Sequence, residues 1–135
     1  MLPLQGPFDT EAAIRFLQLK PFHDAMEITL LTVLPEMPPP WPSDAAASAA
    51  SAEILEKQAD YIEGVAERLR VIGYQAHGVA VRGTPSTMIL QEATSRQADL
   101  ILMGTRGRQE MTRLVLGSVS HAVLHQMPCP VLAFH

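Results

Sequence analysis

Glycine and arginine are concentrated in one stretch that closes on Gly-Ser, GTRGRQEMTRLVLGS, at positions 104–118. It directly follows the apolar run LILM at 100–103. Glycines let backbone N–H groups approach a ligand closely, because no Cβ stands in the way. A helix beginning at Ser118 would add free N–H groups and a positive dipole end, which attract anions. The stretch therefore predicts a phosphate-binding loop, although on composition alone a glycine turn before an ordinary capped helix, with solvated arginines, fits equally well.

Strand and helix patterns alternate around this stretch. Strands are predicted at 2–4, 28–33, 74–81, 100–103 and 130–134, and helices at 10–19, from 43 or 44 to 72, from 85 and from 118. This order predicts one α/β domain over residues 1–135, with a parallel sheet and helices on both faces. Prolines exclude regular structure from PEMPPPWP at 35–42. The Ala/Ser tract at 45–52 is either a frayed helix start or a mobile loop.

The composition limits the function classes. A net charge of -4 and a pI near 5.7 argue against a general nucleic-acid binder. The sequence has neither the long apolar run of a membrane span nor the start of a signal peptide. The single cysteine, Cys129, excludes an internal disulfide and fits a reducing compartment. We therefore expect a cytoplasmic protein without a nucleic-acid or membrane partner.

The spacing Gly104-x2-Gly107-x9-Gly117-Ser118 resembles the nucleotide loop of the universal stress protein family, in its ATP-binding branch. ADLILMGTRGR at 98–108 and GSVSHAVLHQMPCPVLAFH at 117–135 are similar to the family's fourth strand, last helix and last strand. VRGTPSTMILQEA at 81–93 and LPLQGPFDTEAA at 2–13 resemble its third helix and its first strand and turn. The resemblance implies a Rossmann-like fold of the adenine nucleotide alpha hydrolase type, an open five-stranded parallel sheet in the order 3-2-1-4-5.

The same resemblance implies a nucleotide-dependent signalling or regulatory protein of the stress response, and not an enzyme. Its implied ligand is ATP, with or without magnesium. The implied nucleotide-binding residues are Gln5, Val33, Met103, Gly104, Arg106, Gly107, Gly117, Ser118 and Val119. A homodimer is implied through the last strand, by Val131, Leu132, Ala133 and Phe134. Any hydrolysis would be slow, because no general base is evident near the loop.

One position departs from the family pattern. ATP-binding members usually carry an aspartate at the end of the first strand, where this chain has Gln5. Glutamine keeps hydrogen-bonding groups but supplies no carboxylate for a charge-assisted bond or a metal. Two hypotheses therefore stay open. Either the protein binds ATP and tolerates Gln5, or it is a nucleotide-independent dimeric interaction module that acts through the dimer surface and the loop around Trp41.

Other residues with chemical potential favour simpler interpretations. His121 and His125 are four apart on a predicted helix, which is metal-ligand spacing, but no third ligand is obvious nearby. Ser118 and Ser120 lie near His121 without the strand–turn–helix motif of a serine hydrolase. We predict neither a metal site nor a catalytic site from these residues.

Overall fold

The structure is a computed structural model, and it describes residues 1–19, 21–22, 26–36, 45–104 and 117–134. Strands and helices alternate through these residues, which confirms the predicted α/β pattern. Their bounds are β1 Leu2–Pro3, α1 Pro7–Gln18, β2 Glu27–Leu34, α2 Ala45–Ile72, β3 Gln75–Arg82, α3 Pro85–Ser95, β4 Ile101–Gly104, α4 Ser118–Gln126 and β5 Val131–Phe134. The Ala/Ser tract belongs to α2, so the helical alternative is the correct one.

The strands form two parallel sheets, one of β1, β2 and β3 in the order β1-β2-β3, and one of β4 and β5. Met1 joins them, because its amine donates to the Leu100 carbonyl at 2.7 Å and its carbonyl accepts from the Leu102 N–H at 2.8 Å. Along a strand, the N–H and C=O groups of every second residue point to the same neighbouring strand. After Met1, the next residue whose backbone groups face β4 is therefore Pro3, and proline has no N–H to donate. This explains why the described residues differ from the predicted single five-stranded sheet in the order 3-2-1-4-5.

Helices cover both faces of the strands. One buried core combines residues of α1 and α2, including Ile62, with Leu30 of β2. The other combines Ile89 of α3 and Val123 of α4 with Leu31, the next residue of β2. Consecutive strand residues therefore enter opposite cores, as the alternation of side chains along a strand requires. None of the helices in the described part of the chain has the length and apolar character needed to cross a membrane.

The helix α2 packs tightly on β3 at Gly78. A Cβ on Gly78 would lie 2.8 Å from the backbone of Ile62 and Glu63, so only glycine fits this approach. The Gly78 N–H donates to the Glu63 carboxylate at 2.8 Å, and Arg70 Nε donates to the Ala76 carbonyl at 2.8 Å. Side chains of α2 thus occupy backbone groups along the outer edge of β3, which protects that edge from pairing with another chain.

Arg70 also sets the charge state of this edge. It donates to the carboxylates of Glu63 and Glu67. The hydrogen bond from Arg70, followed by the one from the Gly78 N–H, lowers the pKa of Glu63. Glu63 therefore remains an ionised acceptor for the strand when the solution is mildly acidic.

We predict that Gly78→Ala lowers the free energy of unfolding by about 1–3 kcal/mol, because the added methyl group forces α2 away from β3. Gly64→Ala is the matched control, since Gly64 lies within α2 and a Cβ there meets nothing within 4 Å. That change should stabilise the protein by about 0.5–1 kcal/mol through helix propensity. Urea denaturation measures both. Equal stability of Gly78→Ala and the natural chain would contradict the close approach.

Candidate functional site

A cleft of about 300 Å³ opens where β1, β2 and β4 end. Carboxyl ends of neighbouring parallel strands are the usual place for ligands in open α/β sheets. Three strands, three helices and their connections contribute to the walls. The lining residues are Pro3, Leu4, Gln5, Asp9, Leu31, Val33, Pro85, Ile89, Met103, Gly104, Gly117, Ser118, Val119 and Ser120.

Most of the residues predicted to bind a nucleotide line this one cleft. They are Gln5, Val33, Met103, Gly104, Gly117, Ser118 and Val119. Arg106 and Gly107 lie outside the described residues. The sequence pattern thus identified residues that are distant along the chain but come together at the strand ends.

One part of the cleft is apolar. Leu31 and Val33 come from β2, and Met103 comes from β4. Pro85 and Ile89 close this part from α3. Leu31, Ile89 and Met103 belong to the buried core under α3 and α4, and Val33 packs against it. The apolar wall of the cleft is therefore a continuation of this core. Apolar walls with few polar groups are typical of sites for flat organic ligands.

A glycine turn places α3 beside the cleft. Gly83 follows β3 with a φ of +147°, a conformation that side chains rarely adopt. A Cβ there would lie 2.6 Å from Met88 Cγ. The Gly83 N–H donates to the Leu34 carbonyl at 2.9 Å, which ties the turn to the end of β2. The chain then enters α3 at Pro85, a favourable first helical residue.

The other part of the cleft presents backbone amides. Gly117 caps α4, and the first bond of this helix runs from the His121 N–H to the Gly117 carbonyl at 2.9 Å. The N–H groups of Ser118, Val119 and Ser120 therefore have no partner within the helix. Together with the positive end of the helix dipole, they form a surface that favours an anion.

A hydrogen bond from α4 to β4 fixes this amide surface. The Ser120 hydroxyl donates to the Gly104 carbonyl at 3.3 Å, and Ser120 is buried. Gly117 has φ -59° and ψ 157°, which any residue can adopt. Gly117 also lines the cleft at the start of α4, so a side chain at this position would lie beside the amide surface.

Asp9 is the residue that the sequence interpretation missed. It is in the first turn of α1 and lines the cleft beside Gln5 and Gly104. Its Oδ2 accepts a hydrogen bond from the Gln5 N–H at 3.3 Å. Its Oδ1 is 3.7 Å from the point where a Cβ on Gly104 would lie. Among the described lining residues Asp9 is the one charged side chain. The signal in the sequence was weak, because an acidic residue near a helix start is common on structural grounds alone.

The sequence of this chain is similar to those of known proteins. The profile of the universal stress protein family matches residues 4–135. The chain belongs to the universal stress protein family. A relative in Thermus aquaticus, the universal stress protein in the QAH/OAS sulfhydrylase 3' region, is 40% identical over 82 residues, or 59% of this chain and 60% of that protein. Bacillus subtilis YxiE is 34% identical over 80 residues, or 59% of this chain and 54% of that protein. The matched segment is thus less than two thirds of these relatives' own length.

Solved structures of universal stress proteins share the fold. Methanocaldococcus jannaschii MJ0577 superposes with a TM-score of 0.78 at 23% identity, over 98% of this chain and 92% of that chain. An Arabidopsis thaliana member, solved with AMP bound, has a TM-score of 0.65 and 22% identity, over 93% of this chain and 77% of that chain. Another member, solved in complex with cAMP, has a TM-score of 0.66 and 20% identity, over 100% of this chain and 97% of that chain. An Archaeoglobus fulgidus member, in complex with dAMP, has a TM-score of 0.57 and 16% identity, over 99% of this chain and 94% of that chain. At these identities the likeness shows the fold alone.

Histidines elsewhere on this universal stress protein do not join the cleft. His121 and His125 lie on α4 with their Nε2 atoms 3.2 Å apart, which is a hydrogen-bonding distance. Within the described ranges, no three or more His, Cys, Asp or Glu side chains are grouped as metal ligands. Their spacing on α4 brings the two rings into contact, with centroids 4.4 Å apart.

A second cavity, of about 690 Å³, lies near the opposite ends of the strands. Its polar lining includes Thr29 and His77, whose Oγ1 and Nε2 atoms are 3.1 Å apart, and Glu27, 3.5 Å from His77 Nδ1. It is larger than the cleft, but no helix of the described residues points its amino end into it. Of these two cavities, the cleft at the carboxyl ends is the one lined by the first residues of a helix, Ser118 and Val119 of α4.

Proposed function

We propose that this universal stress protein binds ATP in the cleft at the strand ends and acts as a nucleotide-dependent regulatory protein of the stress response. The observation that carries the proposal is the pairing of an apolar wall with a row of helix amides in one cleft. A base needs the first and a phosphate needs the second. The AMP, cAMP and dAMP of the family members described above support an adenine nucleotide as the ligand class.

The proposed orientation follows from these two surfaces. The adenine lies against Leu31, Val33 and Ile89, and the phosphates lie against the amides of Ser118 and Val119. Arg106 and Gly107 belong to the proposed phosphate loop on the strength of the sequence motif. A triphosphate has more oxygens that can accept hydrogen bonds from this loop than a monophosphate has, which favours ATP, with or without magnesium. We propose a regulatory role without efficient catalysis, in the cytoplasm.

We predict that ATP stabilises the protein against heat. A ligand at 100 times its dissociation constant adds about 2.7 kcal/mol to the free energy of unfolding. A melting curve in millimolar ATP should therefore move clearly upward, and calorimetry should give a saturable binding isotherm. Absence of both signals would contradict nucleotide binding and would favour the nucleotide-independent interaction module.

We predict that Gly117→Val weakens ATP binding at least tenfold while the fold is retained. The valine backbone fits the φ of -59° at this position, so the loss arises from side-chain atoms at the mouth of the amide surface and not from backbone strain. Calorimetry measures the affinity, and circular dichroism checks the fold. Gly64→Ala is the control for adding carbon at a glycine outside the cleft. Unchanged affinity in Gly117→Val would place the phosphates elsewhere.

We further propose that the protein forms a homodimer through β5, with the two sheets acting as one sheet in which β5 is an edge. Among the strands of the described residues, β5 pairs with β4 alone. The Pro130 carbonyl accepts from the Ile101 N–H at 2.9 Å, so the backbone groups of Val131 and Ala133 face away from β4. An edge of this kind is open to pairing with a second copy. By contrast, side chains of α2 occupy the edge of β3 at Gly78.

The exposure of the β5 side chains decides which variant tests the dimer. Phe134 is buried and stacks on Phe16 with ring centroids 5.5 Å apart, and Val131 packs against the core under α4. Charges at these two positions would damage the fold itself. Leu132 is 39% exposed in the single chain, so it can take a charge without loss of the core.

We predict that Leu132→Asp converts the dimer to a monomer, because a charge in a buried seam lacks a partner. Light scattering should give about twice the 14.7 kDa chain mass for the natural protein and one chain mass for the variant. Leu19→Asp is the matched control, since Leu19 is 79% exposed at the end of α1 and should leave the dimer intact. A natural protein that is monomeric at micromolar concentration, or a dimer that survives Leu132→Asp, would refute this interface.

A further inference from the structure

Two exposed histidines of α4 stand together, apart from the cleft. His121 and His125 are about one helical turn from each other, and neither is among the residues that line the cleft. Both are exposed, so ions in solution reach them. Their rings contact each other with an angle of 60° between the planes. In the described part of the chain, neither ring has another hydrogen-bond partner. The pair is thus a separate site that one helix carries.

The distance between the two ring nitrogens is that of neighbouring ligands on one metal ion. The Nε2 atoms of His121 and His125 lie 3.2 Å apart. Two nitrogens that each lie about 2.0–2.1 Å from one ion are about 2.9 Å apart at a right angle and about 3.3 Å apart in a tetrahedron. The observed distance lies between these two values, so one ion can contact both nitrogens with little movement of the side chains. The sequence spacing alone did not predict a metal site here, and this distance changes that expectation.

The packing of α4 holds the two histidines at this spacing. Side chains four residues apart lie on the same face of a helix. The first turn is closed by the hydrogen bond from the His121 N–H to the Gly117 carbonyl, at 2.9 Å. Val123, between the two histidines, is buried in the core under α3 and α4. Both ligands are therefore carried by a packed element, and an ion does not have to order the chain when it binds.

The ligand type decides which ions fit. Neutral imidazole suits Zn²⁺, Cu²⁺ and Ni²⁺, whereas Mg²⁺ and Ca²⁺ prefer oxygen ligands. Without metal, the contact of His121 with His125 is a hydrogen bond in which one Nε2–H donates to the other Nε2. An ion takes the place of that proton, which moves to Nδ1 of the same ring. The described residues bring no third ligand to the pair, so water completes the coordination.

We propose that His121 and His125 form a two-histidine chelate for a divalent transition-metal ion of the Zn²⁺ type on the exposed side of α4. The proposal does not rest on nucleotide binding, because the pair lies outside the cleft. The ion joins two successive turns of α4, so it stabilises the native helix over the unfolded chain. The first turn of that helix carries the amides of Ser118 and Val119.

Calorimetric titration of the tag-free natural chain with Zn²⁺, in the absence of nucleotide, tests the proposal. We expect one ion per chain and no competition from Mg²⁺. His121→Gln and His125→Gln should each weaken zinc binding at least about tenfold, since even the loss of a group that supports a metal ligand costs roughly 10- to 100-fold. His77→Gln is the control, because it removes a histidine of the second cavity and should keep the affinity.

A double variant separates the spacing of the histidines from their number. His125→Gln/Gln126→His keeps the count of histidines but turns one ring by about 100° around α4. It should bind zinc as weakly as His125→Gln does.

Several results would overturn the chelate. They are a natural chain that binds no zinc, a single histidine variant of α4 with unchanged affinity, and a double variant with full affinity. Loss of binding in Cys129→Ser would assign the ion to the thiol, and one ion per two chains would mean that a second copy completes the site. Either result also overturns it. All of these measurements leave the proposed nucleotide binding untouched, because no nucleotide is present.

Discussion

The junction between β1 and β4 is the constraint on which the site depends. Helices α1 and α2 pack on one face of the strands, and α3 and α4 pack on the other. Where the chain changes from one face to the other, the helices that follow β1 and β4 leave in opposite directions. In the part of the chain that the structure describes, no helix then covers the ends of these two strands. The cleft is the space that this reversal leaves, and its residues come from distant parts of the sequence for the same reason.

A few hydrogen bonds and one glycine turn fix the shape of the cleft at the β1–β4 junction. The hydrogen bonds of Met1 hold β1 beside β4, and Ser120 holds the start of α4 to the end of β4. At the other side, Gly83 allows the sharp turn that brings α3 against the apolar wall. The amide surface, the carboxylate of Asp9 and the apolar wall are therefore carried by packed elements, and their separation is set by the fold.

Much of this arrangement could be predicted from particular residues. The β-branched run of β2 and the Gly117-Ser118 pair at the start of α4 identified their elements, because strand propensity and helix capping are local properties. The family resemblance then assembled the predicted site, and the residues of it that are described line one cleft. Gln5 was identified by its position in the motif, and the structure adds that its backbone N–H donates a hydrogen bond to Asp9.

What escaped prediction depends on contacts between distant segments. The position of Asp9 in the cleft follows only once α1 is known to begin at Pro7 and to bring the carboxylate to Gly104, almost a hundred residues away in the sequence. The division into two sheets depends on the missing N–H of Pro3, which matters only once the neighbours of β1 are known. The long helix α2 includes an Ala/Ser tract whose composition allowed two states, and packing of its later turns on β3 favours the helical one.

The proposed site of the adenine nucleotide is the cleft at the carboxyl ends of the strands. A titration of isotope-labelled protein with AMP, followed by the backbone amide signals, tests it most directly. We expect shifts concentrated at Leu31, Val33, Gly104, Gly117 and Ser118, with little change at Thr29 and His77 in the second cavity. Shifts confined to the second cavity, or no shifts at millimolar nucleotide, would contradict it.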